Sequence, residues 1–398
     1  MPHDDTSRRQ VLKLAGASTV TLGASGLAAG SETGRVGSDA GAEVDRVGVG
    51  DETGPGEVEV NVGFVNDRGK GAASEAAAEI RREFDEFDAM TLVVPEEAAR
   101  SLADRPDIRY VEENGRMEAL DTYPWGVERI HADEAHHDGY TGAGADVAII
   151  DTGIDPNHPD IAPNIGGGEC VVSCSGGGCA ACWDDDQGHG TQVAGTVAAA
   201  QRGAGLIGVA HEATLWAVKV LDSGGMGSFS DIAAGIRWAA REGHDVANMS
   251  LGSTTDSSVV HDACQYAQCQ GTLLVAAAGN AGSPNSVTYP AAYPECIAVS
   301  ATDQNDDLAG FSSRGPEVEL TAPGEDITST AAGGGTTTAS GTSMAAPHVA
   351  GVGALVMAQG QTASQARMRL RNTAEDLGLA PSEQGHGLVD AYNATDGL

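Results

Sequence analysis

The sequence predicts an α/β protein, a mostly parallel sheet buried between helices, preceded by a smaller α+β unit. Three observations carry this. The short apolar runs "DVAIID" (146–151), "TLWAVKVL" (214–221), "DVANMSL" (245–251), "GTLLVAAAG" (271–279) and "CIAVSAT" (296–302) have strand length and the unbroken apolarity of strands covered on both faces. Helical segments beginning near His189, Ser230, Ser257 and Ser343 alternate with them, the pattern of a parallel sheet with crossover helices. Between Glu57 and Leu120 a different rhythm marks the smaller unit.

The chain begins with an address. "SRRQVLKLAGASTVTLGASGLAAG" pairs Arg8 and Arg9, follows them with Val11 and Leu12, and continues as a weakly apolar Gly/Ala/Ser/Thr stretch. A transmembrane helix needs about 20 strongly apolar residues, and this stretch is too polar for one. Residues 1–30 resemble a twin-arginine signal peptide, which implies export of an already folded protein to the extracellular space. Residues 31–56, acidic and Gly-rich, are expected to be a linker. Within 57–120, "EVEVNVGFV" alternates as a strand, "SEAAAEIRREFDEF" is expected as a helix, "AMTLVVP" as a strand, "EEAARSLAD" as a helix and "IRYVEEN" as a strand. Residues 121–398 hold the larger domain, and no internal repeats are visible.

Composition narrows the function. Of 398 residues, 57 are acidic and 22 basic, a net charge of −35, and the only lysines are Lys13, Lys70 and Lys219. Nucleic acid and anionic membrane are therefore excluded as partners of the mature chain. The acids are spread through sequence otherwise rich in apolar residues, Gly and Ala, which sets the chain apart from a disordered acidic tail. That pattern resembles proteins of salt-loving archaea, whose dense carboxylates keep the surface hydrated at molar salt. Seven cysteines suit an oxidising destination. Cys170, Cys174, Cys179 and Cys182 crowd one Gly-rich loop; their spacing fits disulfides better than zinc, with three pairings open. A bridge from Cys264 or Cys269 to Cys296 is favoured over one between Cys264 and Cys269, which point to different faces of a helix.

Four short motifs then stand out. Asp151 in "DTGID" ends the first buried strand, His189 in "GHGT" opens a Gly/Ala-rich helix, Asn280 in "AAGN" ends another strand, and Ser343 in "GTSMAAPH" opens the last long helix. Alone, each reads as a cap or a turn former. Together, in the order Asp, His, Ser, all at strand ends or helix starts, they converge on the carboxyl edge of one sheet, where α/β sheets gather their functional residues. A serine hydroxyl needs a base to become a nucleophile near neutral pH, the base needs an orienting partner, and the oxyanion that forms needs hydrogen-bond donors.

From about Tyr123 to the C-terminus the chain resembles the subtilisin-like serine proteases (peptidase S8), through these four motifs and through "VKVL", "NMSLG", "TAPG" and "GHGLVDA". With its acidic composition and signal it resembles the halolysin-like members from haloarchaea. The resemblance implies a three-layer subtilisin-like fold and a secreted serine endopeptidase using an Asp151–His189–Ser343 triad, with Asn280 and the Ser343 N–H as oxyanion donors and Thr342 supporting them. It also implies that peptide adds as an extended strand between Ser250, Leu251 and Gly252 on one side and Gly225 through Gly227 on the other, with Phe229 at a distal subsite. Ala277, Ala278 and Gly279 would line the primary pocket. Thr288 at its base, where family members often have glycine, implies a shallower pocket for medium apolar side chains, with Ala281 at the rim.

No cofactor is required for this chemistry, though the resemblance implies structural Ca2+ or Na+. Asp160 and Asp121 match calcium ligands and Glu317 and Glu319 a weaker cation site, but Arg202 stands where a ligand asparagine is common, and arginine cannot ligate a cation. Gln192 replaces a histidine usual in the family. The unit at 57–120 resembles a ferredoxin-like inhibitory propeptide that also assists folding and is released by self-cleavage between Leu120 and Asp121. The partners expected are protein or peptide substrates and the chain's own propeptide, and the mature enzyme is expected to be a monomer.

Overall fold

The structure is a computed structural model that describes residues 56–114, 123–175, 178–200 and 205–398. The signal, most of the linker, the Leu120/Asp121 junction and Arg202 lie outside the described residues. The chain divides into two compact units, Met1–Met117 and Glu118–Leu398.

In the first unit β1 (Glu57–Phe64), α1 (Asp67–Ala76), β2 (Glu79–Phe84), β3 (Ala89–Pro95), α2 (Glu96–Ala103) and β4 (Ile108–Glu113) form an antiparallel sheet of order β2-β3-β1-β4. The alternation of β1 buries Val60, Val62 and Phe64 against Leu92, Leu102 and Val111. One expectation is corrected here. The helix predicted over 74–87 runs instead over Asp67–Ala76, started by Asn66, whose side chain accepts from the Arg68 and Gly69 amides. "EIRREF" is an edge strand exposed along nearly its whole length. Its Glu and Arg residues are good helix formers, which hid the strand, but on an open edge the same charges protect against pairing with another chain.

The second unit opens with α3 (Trp125–Arg129) and α4 (Ala132–His137). The alternation then runs β5 (Asp146–Asp151), β6 (Ile165–Cys170), α5 (His189–Ala198), β7 (Thr214–Lys219), α6 (Phe229–Glu242), β8 (Val246–Met249), α7 (Ser258–Gln270), β9 (Leu273–Ala277), β10 (Cys296–Thr302), β11 (Val318–Pro323), a hairpin β12 (Ile327–Thr330) with β13 (Thr336–Ala339), α8 (Thr342–Met357) and α9 (Ala363–Thr373). Every pair in the seven-stranded sheet β11-β10-β9-β8-β5-β7-β6 is parallel, as the apolar runs predict. β6, β11 and the hairpin are not among the apolar runs: β6 is Gly-rich, the hairpin Thr-rich, and β11 is interrupted by Glu319 and Thr321.

Successive residues of β5 feed the two faces of the sheet. Val147 and Ile149 join a core with Val193 and Val197 of α5 and Val349 and Val352 of α8, whereas Ala148 and Ile150 join one with Ile236 of α6 and Ala267 of α7. α8 is buried on all sides from Met344 to Val356. Its small residues permit this: a Cβ on Gly351 would come within 2.5 Å of Val209.

Two disulfides, Cys170–Cys182 and Cys174–Cys179, resolve the pairing that the spacing left open. Cys264 and Cys296 are free thiols with sulfurs 3.9 Å apart, so the bridge to Cys296 is absent although α7 and β10 bring the right pair together. Both are buried and Cys269 is exposed. A bulky thiol reagent should therefore titrate one cysteine in the native protein and three after denaturation without reductant. A native count of zero or three would contradict this packing.

Candidate active site

The strands present their carboxyl ends on one edge, and the four motif residues meet there. Asp151 is the last residue of β5, His189 the first of α5, Ser343 the second of α8, and Asn280 follows β9 by three residues. The Asp151 carboxylate is fully buried; its Oδ1 accepts from His189 Nδ1 at 2.8 Å and from the Thr152 amide at 2.7 Å. Gly190 allows the two elements to approach this closely, since a Cβ there would lie 2.1 Å from the Gly153 carbonyl oxygen. The Asp151 charge raises the His189 pKa above its ordinary 6.5, prevailing over burial, with a further contribution from Asp185.

Ser343 is half-buried, and its hydroxyl donates to the Ser250 carbonyl at 3.3 Å. Pro347 lies one helical turn further along α8. Having no N–H, it leaves the Ser343 carbonyl without its intrahelical donor. Ser250 Oγ fills that place at 2.8 Å while accepting from Asn248 Nδ2 at 3.0 Å. The helix flaw thereby ties α8 to the segment after β8.

Asn280 is exposed, but its amide is oriented. Oδ1 accepts from the Thr342 amide at 2.9 Å and the Thr342 hydroxyl at 3.0 Å, and that hydroxyl accepts from the Gly279 amide at 3.0 Å. Only donors reach Oδ1, so Nδ2 is the group left to donate, beside Gly341 and the start of α8. The first turn of α8, with its unpaired N–H groups and the positive end of the helix, lies at this same edge.

A cleft of about 580 Å³ runs from His189 between two loops. Gly225, Gly227 and Phe229 line one side and Ser250, Leu251 and Gly252 the other. Ala277, Ala278, Gly279 and Thr288 lie outside its lining. Thr288 is wedged between the two backbones: a Cβ on Gly252 would lie 2.4 Å from its Oγ1 and one on Gly279 3.0 Å from its Cγ2, and its amide donates to the Ala278 carbonyl at 2.8 Å.

The cation expectations fare differently. Glu319 is unsuited to hold an ion, because its buried carboxylate accepts from Arg367 at 2.8 and 2.5 Å and from Arg371 at 2.6 Å. Burial pushes its pKa up, but the two guanidinium groups prevail and hold it below the ordinary carboxylate range. No three acidic, His or Cys side chains converge as a ligand set among the described residues, Asp160 and Glu317 included. Asp121 lies outside the described residues. Gln192, unexplained from sequence, is buried in α5 and donates to the Ile327 carbonyl of β12 at 3.3 Å.

Sequence reading passed over Lys219. It is fully buried, donating to the carbonyls of Thr152 at 2.5 Å and Leu221 at 3.0 Å and to Asp186 at 2.6 Å. Its signal was a lone cation inside an apolar run in a chain with few lysines.

The electrostatics of His189 can be measured directly. In a Ser343→Ala background, proton NMR titration should give His189 a pKa above 6.5, and adding Asp151→Asn should lower it, because burial would then act with less opposition. An unchanged value would contradict the assigned cause.

Similarity to known proteins agrees with this geometry. Residues 142–387 match the model of the subtilase family, peptidase S8. The chain is 43% identical over 319 residues to a thermostable alkaline protease of Halalkalibacterium halodurans, covering 80% of this chain and 86% of that one. It is 42% identical over 325 residues to alkaline elastase YaB of a Bacillus species, covering 81% and 83%. To the minor extracellular protease of Bacillus subtilis it is 39% identical over 361 residues, covering 85% of this chain and 55% of that one. The share of this chain matched exceeds the length of its second unit, so the likeness extends into the first. The chain belongs to the subtilase family and is a serine endopeptidase.

Proposed function

We propose that Ser343 is the nucleophile of a secreted, salt-adapted endopeptidase, with His189 as general base and acid, Asp151 as its orienting anion, and Asn280 and the Ser343 N–H as oxyanion donors. The observation that carries this is the hydrogen bond at 2.8 Å from His189 to the buried Asp151 carboxylate, on the sheet edge where α8 begins with Ser343 in its first turn. His189 takes the Ser343 proton as the oxygen attacks the scissile carbonyl. The imidazolium is stabilised by Asp151 and then protonates the leaving amine. Water, deprotonated by His189, hydrolyses the acyl-enzyme.

Substrate lies extended between Gly225–Gly227 and Ser250–Gly252, and Thr288, packed against the Gly252 and Gly279 backbones, limits the primary pocket to medium apolar side chains. Phe229 borders a subsite further along the cleft. Secretion is supported by the twin-arginine pattern and by a relative named as extracellular. The first unit is the inhibitory propeptide, a reading supported by the extension of the likeness into it. Its release by self-cleavage at Leu120/Asp121 yields a monomeric enzyme.

The decisive experiment is intact mass after folding at molar salt. The parent should release a chain beginning at Asp121, and Ser343→Ala should remain joined and fail to react with a fluorophosphonate. Equal cleavage of both, or labelling of the variant, would overturn the assignment. Asn280→Ala should lower kcat by about 10² to 10³, a magnitude taken from this family rather than from the present geometry. A fall of less than tenfold would remove Asn280 from the oxyanion site. The net charge of −35 implies strong self-repulsion once salt is removed, so dilution to low salt should inactivate the mature enzyme. Undiminished activity at low salt would refute salt adaptation.

A further inference from the structure

We propose that Asp185 is a positioning residue of this active site, one carboxylate that locks the start of α5 to the end of β5 and thereby holds His189 against Asp151. This rests on the triad reading given above.

Five donors converge on Asp185. Oδ1 accepts from the Gln187 amide at 3.0 Å, the Gly188 amide at 2.8 Å and the Thr152 hydroxyl at 2.9 Å, and Oδ2 from the Thr191 amide at 2.8 Å and hydroxyl at 2.6 Å. Gly188, the residue before α5, offers no side-chain cap, so Asp185 caps the helix from outside. The contacts straddle His189 in sequence, with Gln187 and Gly188 before it and Thr191 after it. Thr152, next to Asp151, completes the lock: its hydroxyl donates to Asp185 and accepts from the Gly190 amide at 2.9 Å. Neither backbone can shift without breaking bonds to this one side chain or to Thr152.

The same carboxylate acts on the imidazole through space. Asp151 from β5 and Asp185 from the loop before α5 both favour the imidazolium. The neighbouring charges are otherwise engaged. Asp186 is paired with Lys219 of β7, Asp184 accepts from the Ala180 and Asp185 amides, and Asp155 accepts from the Asn157 and Gly333 amides.

Asp185→Asn replaces an acceptor of five bonds with a group that accepts through one oxygen and removes the charge. Per fluorophosphonate-reactive Ser343, kcat should fall at least tenfold with KM changed less than twofold. The acid limb of the pH profile of kcat/KM should move to lower pH, because a less stabilised imidazolium loses its proton earlier as pH rises. Thr152→Val breaks the lock but keeps the charge, so kcat should fall while the limb stays nearer its parental position, and Thr152→Ser should restore kcat. The Thr152 pair decides the matter where Asp185→Asn does not fold. Parental kcat in Thr152→Val, no recovery in Thr152→Ser, or an unmoved limb in a folded Asp185→Asn would overturn the proposal. If the parent itself does not react with the fluorophosphonate, the nucleophile assignment fails instead.

Discussion

The hydrogen bond between Asp151 and His189 is the contact around which this molecule is organised. It places a carboxylate with no solvent exposure opposite an imidazole only partly shielded from water. Such a pair is useful only if neither partner can relax, because a buried anion that loses its partner is strongly destabilising. The architecture meets that demand with a rigid backbone. Asp151 ends an interior strand of a parallel sheet, covered on both faces, and His189 begins a helix whose other residues are buried.

A second constraint is the entry of α8. A helix surrounded on all sides by protein has its first turn at the sheet edge and must still leave a serine accessible. Pro347 and Ser250 manage this jointly. The proline removes a helical hydrogen bond, and the strand-end hydroxyl replaces it, so the carbonyl of Ser343 is held by the wall of the cleft. The wall of the cleft and the serine are thus one mechanical piece. Thr342 does the same for Asn280 by saturating its carbonyl oxygen.

Much of this was legible in the sequence, for identifiable reasons. Fully buried parallel strands write themselves as continuous apolar runs, which is why β5 and β10 were located to the residue. Strand-end and helix-start residues carry short Gly-flanked motifs, which placed Asp151, His189, Asn280 and Ser343 on one edge. Elements without an unbroken apolar run escaped: β2 is a charged edge, β6 and the β12–β13 hairpin rely on backbone pairing more than on apolar side chains, and β11, although buried throughout, is interrupted by Glu319 and Thr321. Contacts set by three-dimensional convergence also escaped. Nothing in "PEVEL" says that Glu319 faces two arginines from α9, and nothing in an acidic run says which acid gathers five donors.

Those arginines bear on how the molecule distributes charge. Several of its scarce cations serve as cross-links: Lys219 is sealed beside the end of β5, Arg367 and Arg371 clamp Glu319, and Arg129 reaches Asp306 and Glu375, both more than half of the second unit's sequence away. The enclosed pairs among them, Lys219 with Asp186 and Arg367 with Glu319, thus stand apart from the chain's large excess of acidic over basic residues. Dissolved ions discriminate between the two populations, since screening acts on exposed charges far more than on enclosed pairs. Salt can quiet the repulsion of the outer shell while leaving the inner clasps intact, so the same ionic medium that would dissolve surface bridges leaves this skeleton closed.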